Sequence, residues 1–427
     1  MDLIPREIVG YFRSLPALRK LTFLSLIGFV VFSSLSISLT QAAFALGVIS
    51  WLLAEIKEGN SRRIRLPLLL PFLALAGTTL LSAATSANIT RSLIDSKQLS
   101  QILIFYLFLN NIHSDREAGF LFKVLVAVTG AVSVYGLYQI LTTPAGLAHR
   151  IRGPFSIYMT FSGVLLLVAT LALAYGLIPS DRRKWRWVYC VAFLIVVCLL
   201  STYTRNAWVG LLVGTGFITV LSRNLRALFL IPSILALIFV FSPKDVRERA
   251  KSIGNLRDPT VSERLLMWRS GLEMVKDHPL TGVGVDMVKL TYGRYANPKA
   301  IKQRTGHLHN NPLQIAAERG LLGLAAWLWI WVAYYVRTFR VLRRLEPREE
   351  GRFWTIGSMA CVSAFLMAGM FEYNYGDSEV VMLVYFIMAL AFLGTPGLRA
   401  AEQKVSAERS ARKAGGASPA PRGSSPL

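Results

Sequence analysis

The stretch Trp187–Leu200, WVYCVAFLIVVCLL, contains no charged residue and decides the fold class of this chain. Leu21–Ile37 (LTFLSLIGFVVFSSLSI) and Leu66–Leu81 (LPLLLPFLALAGTTLL) are comparably apolar. A helix needs about 20 mostly apolar residues to cross about 30 Å of hydrocarbon. The chain as a whole is 53% hydrophobic and 17% charged, whereas soluble domains are about 45–50% apolar and about 25% charged. The sequence therefore predicts an all-α, polytopic membrane protein.

The basic residues of the chain lie in short loops between the apolar runs. The net charge of +23 raises the question of nucleic acid, but nucleic-acid-binding domains gather their basic residues on one folded face. We therefore expect no nucleic-acid partner. The cysteines, Cys190, Cys198 and Cys361, fall within predicted spans, where a buried thiol behaves as a small apolar residue. Neither a disulfide framework nor a metal site is expected from them.

Apolar windows predict about twelve transmembrane helices, at residues 21–37, 40–56, 66–83, 98–112, 119–141, 156–178, 187–201, 206–222, 226–242, 312–338, 353–372 and 379–395. Cytoplasmic loops accumulate Lys and Arg, and a cytoplasmic N-terminus satisfies that rule for every strongly basic loop. The predicted organisation is transmembrane helices 1–9 in residues 1–242, a periplasmic loop at 243–311, helices 10–12 in 312–400 and a disordered cytoplasmic tail at 401–427.

The long loop between predicted helices 9 and 10 is too long to lack structure of its own. Thr260-Val-Ser-Glu263 has the form of a capping box, and Val261, Leu265, Trp268, Leu272 and Val275 follow at helical spacing. The pattern predicts an amphipathic helix across the outer mouth of the bundle.

Several arginines break the charge rule, because Arg91, Arg150, Arg152 and Arg205 all fall on the predicted outer side. Anchoring to lipid headgroups is the simplest explanation for them. Acidic residues lie towards the ends of the spans, whereas ion-coupled transporters usually place such groups near the midplane. The pattern favours a site at the membrane surface, and we expect neither a metal site nor a cofactor there.

A histidine stands directly before a strong helix start on the outer side. In Gly306-His307-Leu308-His309-Asn310-Asn311-Pro312, an Asn can cap the helix and Pro312 suits its first position. This places His309 at the positive end of the helix dipole, which together with nearby arginines favours a neutral imidazole that can accept a proton. A plain loop or capping residue is the alternative interpretation of His309.

The segment His309-Asn310, nine residues, Gly320-Leu321-Leu322-Gly323 resembles the His-Asn-x9-Gly-x2-Gly pattern of the O-antigen ligase and polymerase superfamily. Thr204-Arg205-Asn206-Ala207-Trp208 is similar to its Ser-Arg-x-x-Trp motif, with Thr204 in place of Ser. Arg264 with Trp268, and Pro279-Leu280-Thr281-Gly282-Val283-Gly284, resemble its Arg-x3-Trp helix and Gly-x-Gly turn. Arg150-Ile151-Arg152-Gly153 resembles its Arg/Gly stretch, so the resemblance covers roughly residues 130–385.

The resemblance implies a metal-independent glycosyltransferase of the bacterial inner membrane, with an active site facing the periplasm. It would move a polysaccharide from undecaprenyl pyrophosphate to an acceptor hydroxyl, which for a ligase belongs to the lipid A-core. Guanidinium groups bind phosphate bidentately, so Arg205, Arg152, Arg264 and, less directly, Arg150 are assigned to the pyrophosphate, with Arg205 and Arg264 also counted as catalytic. His309 is the implied general base, or alternatively a group that only positions the acceptor.

Three further residues, Glu372, Asp377 and Asn310, could orient His309 or bind sugar, while a solvated loop end explains the two acids equally well. Gly320 and Gly323 are expected to be packing positions, because small residues let helices approach closely. Within the superfamily an O-antigen polymerase and a protein O-oligosaccharyltransferase remain alternatives to the ligase. A glycolipid exporter is the alternative that is not an enzyme.

Overall fold

The computed structural model describes residues 6–59, 64–142, 150–178, 186–224, 247–248, 259–346 and 349–393. Its α-helices before the long loop are α1 (Arg6–Ser14), α2 (Ala17–Phe32), α3 (Ile37–Lys57), α4 (Leu69–Ala84), α5 (Ile89–Asp95), α6 (Ile102–Asn111), α7 (Asp115–Thr142), α8 (Tyr158–Leu177), α9 (Trp187–Ser201) and α10 (Arg205–Ser222). Those after it are α11 (Pro259–Asp277), α12 (Val288–Tyr295), α13 (Asn311–Leu342), α14 (Glu350–Ala368) and α15 (Ser378–Leu390). The part of the chain that the structure describes contains no strand, as predicted.

Most of the predicted spans correspond to helices, with ends shifted by a few residues. Four helices are long and apolar enough to cross a membrane, namely α3, α7, α8 and α13, and α4, α9 and α15 are shorter apolar helices. The predicted helix at 98–112 is wrong at its start, because residues 96–101 form a 3-10 helix between α5 and α6. This segment is polar, Ser-Lys-Gln-Leu-Ser-Gln, and lacks the apolar periodicity of a span. The predicted helix at 226–242 lies outside the described residues, so twelve crossings stay a prediction.

The helices pack around one large apolar core, with α2 against α3, α8 and α10 against α14, and α4 against α13. A second, smaller core lies at one end of the bundle. It joins α11 and α12 to the first turns of α13 through the buried side chains of Met267, Met274, Tyr292 and Leu308. This end of the bundle, which carries the candidate site, is called the site end.

The helix α13 is kinked at Gly320, whose φ of 67° is left-handed and leaves the helical region. The kink makes room for the turn Pro279–Gly284, whose backbone bonds directly to α13. Val283 N–H donates to Ala317 O at 2.9 Å, and Leu321 N–H donates to Pro279 O at 2.7 Å. A Cβ on Gly320 would overlap the carbonyl of Leu280. Gly320 is therefore a packing position, as expected, but it packs against a loop rather than a helix.

The helix α11 exists where amphipathic periodicity predicted one, but two details of that prediction were wrong. It begins at Pro259, before Thr260, and the Glu263 carboxylate accepts hydrogen bonds from the backbone of Ile301 and Lys302 at 3.1 and 2.8 Å. Its buried residues are Met267, Ser270, Gly271 and Met274, while Leu265 and Leu272 are exposed. The predicted apolar stripe was displaced because Gly271, where a Cβ would overlap Leu308, sets the closest approach of α11 to the loop.

Candidate active site

The histidine turn, residues 306–310, is fixed by hydrogen bonds to Leu308, which lies between its two histidines. Leu308 N–H donates to Gln314 Oε1 at 2.8 Å, and Leu308 O accepts from Trp268 Nε1 at 3.0 Å. His309 has a φ of 50°, a left-handed conformation in which histidine is one of the less rare side chains. Asn310 caps α13, since its side chain accepts from Leu313 N–H at 2.8 Å, and its amide donates to Met370 O at 2.9 Å.

The Glu372 carboxylate lies at the centre of the site, in the loop between α14 and α15. His309 Nδ1 is 3.0 Å from both carboxylate oxygens, Arg264 Nη2 is 3.7 Å from Oε2, and His307 Nδ1 is 3.6 Å from Oε1. Only 8% of the Glu372 side chain is exposed, compared with 16% for His309 and 20% for Arg264. One buried carboxylate therefore has two imidazoles and one guanidinium around it.

The charges of this cluster decide its protonation states. Burial alone would raise the pKa of Glu372, but the hydrogen bond from His309 and the electrostatic effects of His309, His307 and Arg264 together lower it below its usual value of 4.5. Glu372 is therefore ionised at neutral pH. Burial lowers the pKa of Arg264 despite the opposing charge of Glu372, and the charges of Arg205 and Arg150 lower it further. Arg264, Arg205 and Arg150 are therefore close enough to interact electrostatically, and together they form a positive region.

The arginines differ in how they approach this region. Arg205 is the first residue of α10, after the N-cap residue Thr204 and Tyr203, whose φ of 55° turns the chain towards the helix. Arg150 lies over the ring of Tyr158, with its guanidinium carbon 4.6 Å from the ring centroid. Arg152 is exposed, and its guanidinium donates at 3.5 Å to Ser156 O in its own segment. The structure thus brings Arg264, Arg205 and Arg150 together and leaves Arg152 at the rim.

Asp377 occupies a different position from Glu372, although both were candidates for orienting His309. Its Oδ2 accepts a hydrogen bond from Thr160 Oγ1 at 2.6 Å. Burial, with the negative charge of Glu379 next in importance, raises the pKa of Asp377 to about 7. Glu372 is the acid that contacts His309, and Asp377 lies on the wall formed by α8 and α15.

A cavity of about 430 Å³ opens between these walls. Its polar lining includes Asn206, Asp286, His307, Glu318, Glu372 and Asp377, and its apolar lining includes Ile37, Met159, Leu166, Leu167, Phe365 and Val380. Neither His307 nor Glu318 was predicted from the sequence to be a site residue. The Glu318 carboxylate accepts from Gln314 Nε2 at 2.8 Å and from Asp286 N–H at 3.1 Å, so it joins the kinked helix to the turn. The only signal for His307 in the sequence is its position two residues before His309.

The described residues contain one group that could hold a metal ion, formed by His307, His309 and Glu372. One ligand atom from each lies within 4.8 Å of the others. No metal site was predicted from the sequence, and Glu372 was considered there only as a group that could orient His309 or bind sugar. Two imidazoles and a carboxylate suit a transition metal, but the Arg264 guanidinium 3.7 Å from the carboxylate opposes a second cation there.

These features define a class of protein. The chain is an all-α membrane protein with apolar helices of membrane-crossing length and a buried acid, histidine and arginine site at one end of the bundle. Residues 190–328 match the family described as O-antigen ligase. The resemblance inferred from the sequence motifs is therefore confirmed, and the matched segment includes Arg205, Arg264 and His309.

Several proteins are similar over longer stretches. A protein of Rickettsia conorii named as a candidate polysaccharide ligase is 25% identical over 268 residues, which cover 58% of this chain and 61% of that protein. One of Rickettsia bellii with the same description is 26% identical over 318 residues, covering 71% of this chain and 74% of the relative. The exopolysaccharide production protein ExoQ of Rhizobium meliloti is 28% identical over 248 residues, covering 54% and 53%. Together these similarities support glycan transfer at a membrane.

Proposed function

We propose that this protein is an O-antigen ligase that transfers polysaccharide from undecaprenyl pyrophosphate to a hydroxyl of the lipid A-core, in lipopolysaccharide biosynthesis. The observation behind the proposal is the pair formed by His309 and Glu372, 3.0 Å apart, beside a positive region that contains Arg264 and Arg205. A base next to phosphate-binding groups is what transfer from a lipid pyrophosphate to a hydroxyl requires.

Glu372 gives His309 a defined role in this reaction. With its Nδ1–H donating to the carboxylate, the imidazole presents Nε2 as the acceptor atom, and the ionised carboxylate stabilises the imidazolium that forms. The acceptor oxygen would attack the anomeric carbon while its proton passes to His309 Nε2. The bond from that carbon to the pyrophosphate oxygen would break, and its electron pair would leave with undecaprenyl pyrophosphate. General-base assistance of this kind contributes about 10²–10⁴ in rate.

The arginines would stabilise the charge that develops on the leaving pyrophosphate. Arg205, Arg264 and Arg150 are assigned to the reacting phosphates, and Arg152 to the carrier at the rim. The cavity supports binding of the rest of the substrate, since its apolar lining on α8 and α14 suits a prenyl chain and its polar lining suits a sugar. Asp377, at the polar end, would bind sugar, and Asn310 would keep His309 at the start of α13.

The same proposal includes the orientation of the chain. The site end would face the periplasm of a bacterial inner membrane, with both termini in the cytoplasm, about twelve crossings in all, residues 243–311 as the periplasmic loop and residues 401–427 as a cytoplasmic tail. The side chain of Ile301 is 84% exposed at the site end. A cysteine introduced there should react with a membrane-impermeant reagent in intact cells; reaction only after lysis would invert the orientation.

A gene deletion separates the proposed function from its alternatives. Loss of a ligase leaves a bare lipid A-core band on a lipopolysaccharide gel while carrier-linked polymer accumulates. Loss of a polymerase leaves core with one repeat unit, loss of a protein O-oligosaccharyltransferase leaves lipopolysaccharide unchanged, and loss of an exporter traps the glycolipid in the cytoplasmic leaflet. His309→Ala and Arg205→Ala should each reproduce the ligase deletion while the protein is made and inserted. A normal ladder in His309→Ala would refute the catalytic assignment.

Whether the transfer needs a metal ion can be tested separately, because the site contains both a candidate set of metal ligands and a positive region. Purified protein should keep its transfer activity in EDTA if the arginines alone stabilise the leaving group. Loss of activity in EDTA, restored by zinc or manganese, would instead make His307, His309 and Glu372 a metal site.

A further inference from the structure

His307 is the histidine that forms part of the cavity wall, and nothing in the family resemblance gives it a role. Its side chain is 35% exposed, about twice the 16% of His309. The two imidazole rings meet edge to face with centroids 4.2 Å apart, and the other face of the turn places Tyr373 5.9 Å from His307. Because His307 lines the cavity and its ring contacts that of His309, an acceptor bound in the cavity beside His309 also lies within reach of His307.

The hydrogen-bonding groups of His307 are only partly used within the protein. Its Nδ1 is buried without a hydrogen-bond partner among the described residues, and its nearest acid oxygen, Glu372 Oε1, is 3.6 Å away. The carboxylate is already shared by His309 at 3.0 Å and Arg264 at 3.7 Å. The Glu372 carboxylate therefore lies near His307 Nδ1 without forming a hydrogen bond to it.

The position of the Glu372 carboxylate, 3.6 Å from Nδ1, favours a proton on that nitrogen of His307. A neutral imidazole has one donor and one acceptor nitrogen. With the proton on Nδ1, towards the carboxylate, Nε2 is left as an acceptor.

We propose that His307 is a second acceptor-binding residue, whose Nε2 accepts a hydrogen bond from the hydroxyl next to the one that His309 deprotonates. The ligand class is a sugar with two neighbouring hydroxyl groups on one ring, because two imidazoles in edge-to-face contact can address two adjacent oxygens. The inference rests on the proposed function and deepens it. It assigns specificity to His307 and leaves the chemical step to His309.

The test measures the two substrates separately. Transfer by the purified full-length protein is followed with carrier-linked glycan and a lipid A-core acceptor, each varied in turn. His307→Phe keeps the ring and removes the hydrogen bond, so KM for the acceptor should rise about 3- to 10-fold, as expected for one hydrogen bond. The KM for the carrier-linked glycan and kcat should stay within about twofold. His307→Asn should recover part of the acceptor affinity.

Two controls make the result specific. His278→Phe alters an exposed histidine of the same outer segment and should change neither KM. An acceptor that lacks the neighbouring hydroxyl should have the same raised KM with the natural protein and with His307→Phe, since the bond is absent in both.

Three outcomes would overturn the inference. An unchanged acceptor KM in His307→Phe would leave His307 as a packing residue. A fall in kcat to the level of His309→Ala would make it part of the chemical step. An acceptor KM that rises as much in His278→Phe would remove the specificity. Full activity of His309→Ala is a separate outcome that refutes the proposed function and leaves the His307 measurement readable.

Discussion

The histidine turn and the arginine segment, residues 150–158, both contribute to the cavity wall and are held in different ways. They are called the histidine side and the arginine side of the site. In the histidine turn, side chains as well as backbone are bonded: Glu372 holds His309 at 3.0 Å, and Leu308 is bonded through both its N–H and its carbonyl. In the arginine segment, Gln139 Oε1 accepts from the backbone of Arg152 and Gly153 at 3.1 Å, while the Arg152 side chain is exposed.

The difference follows from what each group is proposed to do. Proton transfer depends on atoms within hydrogen-bond reach and alignment, so a base needs a fixed ring. Attraction between a guanidinium and a phosphate falls only as the inverse of distance, so an arginine at the rim can work from several positions. Substitutions on the histidine side should therefore cost more than equivalent ones on the arginine side.

The largest effect is expected for Glu372→Gln, which keeps the size of the side chain and removes its charge. The amide cannot stabilise the imidazolium and can hold His309 in the wrong tautomer, so kcat should fall roughly 10²–10³-fold at little cost in donor KM. Glu273→Gln, on the exposed part of α11, is the matched control and should be silent. Activity of Glu372→Gln within a few-fold of the natural protein would show that the rigid side is not needed for the chemistry.

A pair of glycine substitutions compares the rigidity of the two sides directly. Gly320 and Gly153 both have positive φ, 67° and 57°, so each Ala variant is strained. At Gly320 the new Cβ would overlap the backbone carbonyl of Leu280, whereas at Gly153 it would meet only side-chain atoms, those of the Phe161 ring at 2.9 Å. Gly320→Ala should cost about 3 kcal/mol of stability or more, and Gly153→Ala about 1–2 kcal/mol.

Thermal unfolding of the purified proteins in detergent measures this difference. Gly216→Ala is the control, because a Cβ there meets open space within α10, and it should leave the unfolding temperature nearly unchanged. Equal losses for Gly320→Ala and Gly153→Ala would mean that the arginine segment is as rigid as the kinked helix.

The sequence predicted the helices well where the length of an apolar run determined them. It predicted the structure poorly where the structure depends on contacts between loops. Apolar runs predicted α3, α7 and α8 because the hydrocarbon thickness sets a length that composition reveals. No local pattern could place Glu372 against His309 across 63 residues, since that contact depends on how α13 and α14 pack.

The dependence of these contacts on tertiary packing also explains the other errors at the site. Thr260–Glu263 matched a capping box by spacing alone, but Glu263 instead bonds the backbone of residues 301 and 302, far away in sequence. Motif resemblance located Arg205, Arg264 and His309, and left His307 unnoticed because a neutral loop histidine carries no periodic signal. Gly320 was recognised as a packing position from the motif, while its left-handed φ became apparent only with the fold.

The smallest effect is expected at the rim of the arginine side. Arg152→Ala removes an exposed guanidinium, so KM for the carrier-linked glycan should rise only about 2- to 5-fold, comparable to one exposed charge interaction, with kcat unchanged. Because exposed charges are screened by salt, the difference from the natural protein should shrink as ionic strength rises from about 0.05 to 0.5 M. Arg152→Lys should recover most of the loss, since at long range only the charge matters. Arg269→Ala, an exposed arginine on α11, serves as the control for a general loss of charge. A kcat loss as large as that of Glu372→Gln would place Arg152 on the reacting phosphates and abolish the contrast between the two sides.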